Sequence, residues 1–231
     1  MMIACSGVTL LAMGGATLNQ VLERDIDALM TRTDQRPLPR GEMTPTVATA
    51  IGFGIILAGS ALLLTADGLL PALLGLSALV WYLAVYTPLK RRTPLALPLG
   101  ALCGAVPPLI GWCLAGGNPS DFRIVTLSGL FFIWQVPHFW LLQSRYGDDY
   151  RRADIPLYAI RSGHFGIWLV ALTAAALMLP AFGIIEHQTA HWYGLFISVL
   201  LVAGLCRRER IIFSYLTLFP VLVTLTLFIQ G

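Results

Sequence analysis

Residues 46–66 read Thr46-Val-Ala-Thr-Ala-Ile-Gly-Phe-Gly-Ile-Ile-Leu-Ala-Gly-Ser-Ala-Leu-Leu-Leu-Thr-Ala66, a run without a single charge. A helix of about 20 such residues crosses the hydrocarbon of a bilayer. A transmembrane β-strand is shorter and alternates apolar with polar, which this run does not. Working outward, uncharged stretches recur at 1–22, 68–86, 95–117, 124–144, 164–185, 187–206 and 211–231. Together they predict an all-α, polytopic transmembrane helical bundle of about eight spans. Composition agrees: 57% of the 231 residues are hydrophobic, 12% are charged and the mean hydropathy is +0.75, too apolar for a surface wetted on all sides.

Charge placement supports the span count independently. Of the 15 Lys and Arg residues, all but Arg123 fall in every second loop: Arg24, Arg32, Arg36 and Arg40; Lys90, Arg91 and Arg92; Arg145, Arg151, Arg152 and Arg161; Arg207, Arg208 and Arg210. One missed or invented helix would break this alternation, and the positive-inside rule puts the basic loops in the cytoplasm. The expected setting is a bacterial-type inner (cell) membrane, crossed many times, with the lipid bilayer as solvent. The cations need no nucleic acid to explain them. An even number of spans puts both termini opposite the basic loops. The first run has no cationic leader, its first charge being Glu23, so it does not read as a cleaved signal peptide. Cys5, Cys103, Cys113 and Cys206 lie inside runs without metal-type spacing and read as small packing residues.

The basic loops 23–45, 87–94 and 145–163 are also the long or densely polar ones, so polar chemistry concentrates at one membrane face. The helix end that leads into the first carries Asn19, and with Glu23 and Asp27 inside that loop the three stand at steps of four. At about 100° per residue such positions drift only about 40° per step and line one helix face, while Asp25 points elsewhere. An amide and two carboxylates suit Mg²⁺, a hard cation that keeps much of its coordination for water and phosphate. The plain alternative is a solvated helix end, but Asn19 sits near the end of an apolar run and shares the face with both acids. Arg32 and Arg36 follow in a turn, where they would hold a diphosphate or meet anionic lipid headgroups; spacing alone leaves both open.

In Tyr86-Thr-Pro-Leu-Lys90-Arg91-Arg92-Thr-Pro94, Tyr86 and Lys90 are four apart, yet Pro88 argues against a continuous helix through them. Pro107 and Pro108 are expected to break or kink the next span and help shape a cavity. Within a later span, Trp134-Gln-Val-Pro-His138-Phe139-Trp140 places an imidazole among aromatics. His138 is either a helix-helix hydrogen-bonding residue or a contact for porphyrin or its iron. The aromatics fit a flat macrocycle or lipid equally well. That span leads to Asp149-Tyr150-Arg-Arg-Ala153-Asp154-Ile155-Pro156.

The run from Asn19 to Leu38, N-x-x-x-E-R-D-I-D-x-x-M-x-R-T-x-x-R-P-L, resembles the first aspartate-rich motif of the UbiA-type intramembrane prenyltransferases, in the form carried by their heme-farnesylating branch. Y-T-P-L-K-R-R-T-P with G-A-V-P-P-L-I-G-W, and W-Q-x-P-H-F-W with D-Y-x-x-A-x-I-P, resemble that branch's later blocks. The resemblance covers roughly residues 10–160 as three blocks in order. It departs at Glu23, where Asp is commoner, at Ala153, where other branches have a second acid, and at Asp154, where Gly is usual.

The resemblance implies a polytopic prenyltransferase over residues 1–231, a single transmembrane domain that transfers a farnesyl group from farnesyl diphosphate to a vinyl group of protoheme IX, giving heme O for heme-copper oxidases. It implies Mg²⁺ and diphosphate at Asn19, Glu23 and Asp27, with Lys90 among the catalytic residues. Arg32, Arg36, Tyr86, Arg91, His138, Asp149 and Tyr150 would serve substrate binding, and heme would be substrate rather than prosthetic group. Partners would include a downstream heme A synthase or oxidase assembly factors. Family members carry about one further helix before the first motif, so the chain reads as shortened at its N-terminus. Competing readings are a UbiA-type transferase of quinone-precursor aromatic acids, a heme-binding assembly factor without catalysis, and a transporter; the last fits poorly with acids gathered at one membrane face.

Overall fold

The computed structural model describes residues 2–67, 69–157, 162–205 and 209–230; Arg161, Cys206, Arg207 and Arg208 lie outside the described residues. The described elements are helical throughout: α1 (Met2–Leu22), α2 (Arg24–Asp27), α3 (Pro45–Asp67), α4 (Leu69–Val80), a π-helical turn (Trp81–Tyr86), α5 (Thr87–Leu89), α6 (Ala96–Leu114), α7 (Phe122–Arg145), α8 (Gly147–Arg152), α9 (Ser162–Ala181), α10 (His187–Leu205) and α11 (Glu209–Gln230). Each uncharged run is thus helical along most of its length. Among the described residues, Pro45–Ala66, Leu69–Leu89, Ala96–Leu114, Phe122–Arg145 and Arg210–Gln230 are long and apolar enough to cross a membrane. Large apolar side chains face outward, Leu57 and Phe228 each 70% exposed, which lipid accepts and water does not. The all-α, polytopic class holds.

The chain forms two compact units. The first comprises residues 1–119 with 146–158, the second 120–145 with 159–231.

In the first unit α1 and α3 approach almost backbone to backbone, and the reason is glycine. Gly7 and Gly14 lie seven apart on α1, Gly52 and Gly59 seven apart on α3. A Cβ on Gly59 would stand 2.9 Å from Gly7 O, and one on Gly14 2.9 Å from Gly52 O. Small residues let membrane helices pack where no hydrophobic gradient drives them together. Leu11, Leu18, Ile56, Leu63, Ala72 and Ile110 fill the core beside this contact. The start of α3 is set by Thr44, whose Oγ1 accepts from Val47 N (3.3 Å), with Pro45 in the first helical position.

The expectation for Pro88 is corrected. Helix continues from Leu69 to Leu89 through Pro88, and Lys90 N still donates to Tyr86 O at 2.9 Å. The π-helical turn immediately before it explains how: its wider ring accommodates a residue that lacks an N–H and whose ring crowds the preceding turn. Of the break or kink expected at Pro107 and Pro108, the break does not occur, since α6 runs through both, and Pro107 lines a cavity as expected.

In the second unit α7, α9, α10 and α11 enclose an apolar core that includes Leu130, Leu172, Leu179, Ile197, Leu216 and Phe219.

Candidate active site

Asn19 lies in the last turn of α1, which ends at Leu22. Glu23 itself leaves helical geometry (φ −116°, ψ 13°) before α2 begins, so the single continuous helix expected through all three polar positions is interrupted there. The four-residue step survives because Glu23 N donates to Asn19 O (2.9 Å) and Asp27 N to Glu23 O (2.8 Å). All three side chains are buried, Glu23 and Asp27 to 4% exposure. Solvated helix-end residues would not be, so the plain alternative falls.

Buried carboxylates need partners. Lys90 Nζ donates to Glu23 Oε2 at 2.6 Å, and Arg36 Nη1 to Asp27 Oδ2 at 2.7 Å. Thr33, itself buried, ties the following turn down by donating to Asp27 O at 3.0 Å. Asn19 Nδ2 donates to Thr87 Oγ1 (3.1 Å), and the Thr87 hydroxyl proton goes to Tyr82 O (2.8 Å). Since that proton is committed, Thr87 can only accept from Asn19, which orients the amide and turns its Oδ1 away as an acceptor. Glu23 Oε1 is buried with no hydrogen-bond partner.

This donor set fits a hard dication: an amide oxygen and two carboxylates, one of which, Glu23, keeps an orphaned oxygen of the kind an ion satisfies. Among the described residues no three His, Cys, Asp or Glu gather as a metal group. A cation here would therefore depend on Asn19 and on oxygens of its substrate to complete its coordination.

The remaining expected residues divide. Asp25 does point elsewhere: Arg91 grips it with two hydrogen bonds (2.8 and 2.9 Å) and donates a third to Leu22 O (2.7 Å), capping α1. The Arg91 guanidinium holds the Asp25 carboxyl below its usual range. Arg32 lies over the Tyr146 ring, 5.5 Å from its centroid. Tyr86 stacks on Tyr82 (5.8 Å, 19°) and lies under Lys90 Nζ at 5.7 Å. Gly100 makes room for it, since a Cβ there would stand 2.5 Å from the Tyr86 ring. Tyr150 packs against the cluster of Ile26, Met30 and Ile155, and burial pushes its phenol up. Asp149 is buried and accepts from Thr31 N (3.2 Å), Thr31 Oγ1 (2.5 Å), Arg32 N (3.2 Å) and Arg152. The Thr31 hydroxyl, Arg152 and the two amides hold its carboxyl down to about 2.

His138 belongs to the second unit. It is sandwiched between Trp134 (5.1 Å, 22°) and Phe213 (5.5 Å, 12°), with Nδ1 buried and unpartnered. The flanking aromatics part company: Trp140 is fully buried, Phe139 is exposed, and Trp134 Nε1 donates to Leu216 O at 2.6 Å. Of the cysteines, Cys113 is buried, Cys103 partly buried and Cys5 exposed, all free.

Sequence reasoning missed Thr87, Tyr82, Thr31 and Arg152. Tyr82 had a signal, standing one turn before Tyr86; Arg152 is three residues after Asp149 on α8. Tyr82 also joins the polar end to an apolar cavity of about 280 Å³ between α1, α4 and α6, lined among others by Val8, Leu11, Gly15, Leu79 and Cys103.

No solved structure matches the chain. The UbiA prenyltransferase family pattern matches residues 1–226. A curated relative from Geobacter sulfurreducens, named protoheme IX farnesyltransferase, is 54% identical over 99% of this chain and 86% of its own. Relatives of the same name from Nitratidesulfovibrio vulgaris (38% identical, 87% of this chain, 70% of theirs) and Aquifex aeolicus (40%, 86% and 68%) agree. With the family pattern matching residues 1–226 and a relative 54% identical over nearly the whole chain, the chain belongs to the UbiA prenyltransferase family.

Proposed function

We propose that this prenyltransferase moves a farnesyl group from farnesyl diphosphate to a vinyl group of protoheme IX, giving heme O. The carrying observation is the buried trio Asn19, Glu23 and Asp27, compensated by Lys90 and Arg36, beside the cavity bounded by Tyr82. The names of the relatives support the acceptor and the prenyl group.

Along α1, Asn19 and Val8 are eleven residues apart, about 16 Å at the helical rise. The cavity beside that stretch is walled by aliphatic, small and aromatic side chains, a home for the isoprenoid chain that keeps water from the reacting carbon. Glu23 and Asp27, with the amide of Asn19, would hold Mg²⁺, which supplies charge neutralisation to the departing diphosphate. Lys90 and Arg36 already lie on these carboxylates and would extend the same neutralisation to diphosphate oxygens. The allylic C–O bond breaks with its electron pair leaving on diphosphate. The vinyl π pair forms the new C–C bond, and water adds to the resulting cation and releases a proton. The charge pattern and the polar end of α1 support a site open to the cytoplasmic face of a cell membrane, with heme O passed to oxidase assembly.

The test is heme O, measured by mass spectrometry of hemes extracted from membranes expressing the chain. Glu23→Ala and Asp27→Ala are each expected to lower formation by about a hundredfold to a thousandfold with insertion intact. Near-normal product from both would overturn the assignment of the acidic face, and a prenylated aromatic acid without heme O would overturn the acceptor.

A further inference from the structure

We infer that Asp149 is a positioning residue, the clasp that fixes the turn carrying Arg32 and Arg36, and that Thr31 and Arg152 are its working partners. It rests on the farnesyl-transfer reading. The clasp joins residues far apart in sequence, and every tie is local and polar. Asp149 Oδ1 accepts from Thr31 N and Thr31 Oγ1 and from Arg152, and Oδ2 accepts from Arg32 N. Arg152 Nη2 donates also to Thr31 Oγ1 at 2.7 Å, closing the ring.

A carboxylate offers about four lone-pair sites, two on each oxygen; three donors of the protein saturate Oδ1 and a fourth takes one site of Oδ2. Arg152 neutralises its charge. The group therefore has little left to offer a metal or a phosphate, in contrast to Glu23, whose Oε1 is orphaned.

What the clasp holds is the route from Asp27 to Arg36. Met30 is 4% exposed and packs with Ile26 and Ile155, so the segment is anchored by apolar contact on one side and by Asp149 on the other. From there Thr33 N donates to Met30 O (3.0 Å), Arg36 N to Thr33 O (3.0 Å), and Arg36 reaches back to Asp27. Arg32, whose amide the clasp grips, takes its direction from the same point and lies over Tyr146. Thr31 is at the exposed rim while Asp149 is buried beneath it, so the hydroxyl is the removable half of the clasp.

The experiment compares Asp149→Asn, Thr31→Val, Thr31→Ser and the double variant Asp149→Asn/Thr31→Val, each as the full chain in membranes. If Asp149 positions, Asp149→Asn and Thr31→Val each raise KM for farnesyl diphosphate about tenfold, leave the Mg²⁺ concentration for half-maximal rate unchanged, and do no more together than Asp149→Asn alone. Thr31→Ser, which keeps the hydroxyl, recovers most of the loss. Tryptic cleavage after Arg32, read independently of activity, accelerates about tenfold in Asp149→Asn and Thr31→Val and not in Thr31→Ser. A rise in the Mg²⁺ requirement confined to Asp149→Asn would overturn the inference in favour of a ligand role, as would a Thr31→Val protein with wild-type KM and cleavage. Should Asp149→Asn fail to insert, the Thr31 pair carries the same decision. Absence of heme O from the unsubstituted chain would instead count against the farnesyl-transfer reading, while the cleavage assay would still judge the clasp.

Discussion

The buried polar side chains divide unevenly between the two units. Among the described residues, Asn19, Glu23, Asp27, Thr33, Thr87 and Asp149 are in the first, and only Thr173 is in the second, where it bonds Leu169 O on its own helix. The second unit's other sequestered polar atoms belong to amide, hydroxyl and imidazole groups, such as Gln135 Oε1, His138 Nδ1 and Gln143 Oε1 along α7. The first unit thus buries charge and compensates it with cations; the second packs Leu172, Leu179, Leu216 and Phe219 at zero exposure. Buried ion pairs seldom add stability over an apolar core, because desolvation offsets their attraction. Their concentration in one unit is the pattern expected of a site for chemistry rather than of a stabilising core.

That contrast can be broken in order of size. Leu172→Ala, in the second unit's core, is expected to cost about 3 kcal/mol through lost packing, read as a lower Tm in detergent, with KM for farnesyl diphosphate unchanged in the folded fraction. A change in KM without loss of Tm would erase the distinction between the units. Lys90→Met leaves Glu23 buried and uncompensated. Because Lys90 is 22% exposed, the cost should be about 2 kcal/mol, between the roughly 1 of an exposed pair and the roughly 3–5 of a buried one. Adding Glu23→Gln should restore Tm while turnover stays lost. Recovery of both would mean the pair is structural.

The smallest effect is a pH dependence. The folded Asp149 carboxyl is held down to about 2, chiefly by the Thr31 hydroxyl, against about 4 when unfolded. A depressed carboxyl contributes stability above its unfolded value and loses it as pH falls through the folded one. The Tm advantage of the unsubstituted chain over Asp149→Asn should therefore be full at pH 5 and shrink toward pH 2. Protonation elsewhere is common to both proteins and cancels in the difference, so a constant difference would count against the clasp.

How far the sequence could be read follows from the range of the forces involved. Span positions were legible because hydrocarbon imposes length and apolarity on each segment separately. The acidic face was legible because helical spacing relates Asn19, Glu23 and Asp27 within three turns, and the break at Glu23 did not destroy it. Pro88 was misread because a π-helical turn next to it is a local rearrangement that proline alone does not announce.

By itself, then, the sequence determined a polytopic helical chain, the face on which its acids stand and, through motif resemblance, its family. Tertiary structure alone decided which cation meets which acid, Lys90 with Glu23 across 67 residues, Arg36 with Asp27 and Arg91 with Asp25, and brought the Thr31 hydroxyl to Asp149 across 118. The physical reason is that a hydrogen bond acts over about 3 Å, and periodicity within a helix says nothing about which distant loop is brought to that distance.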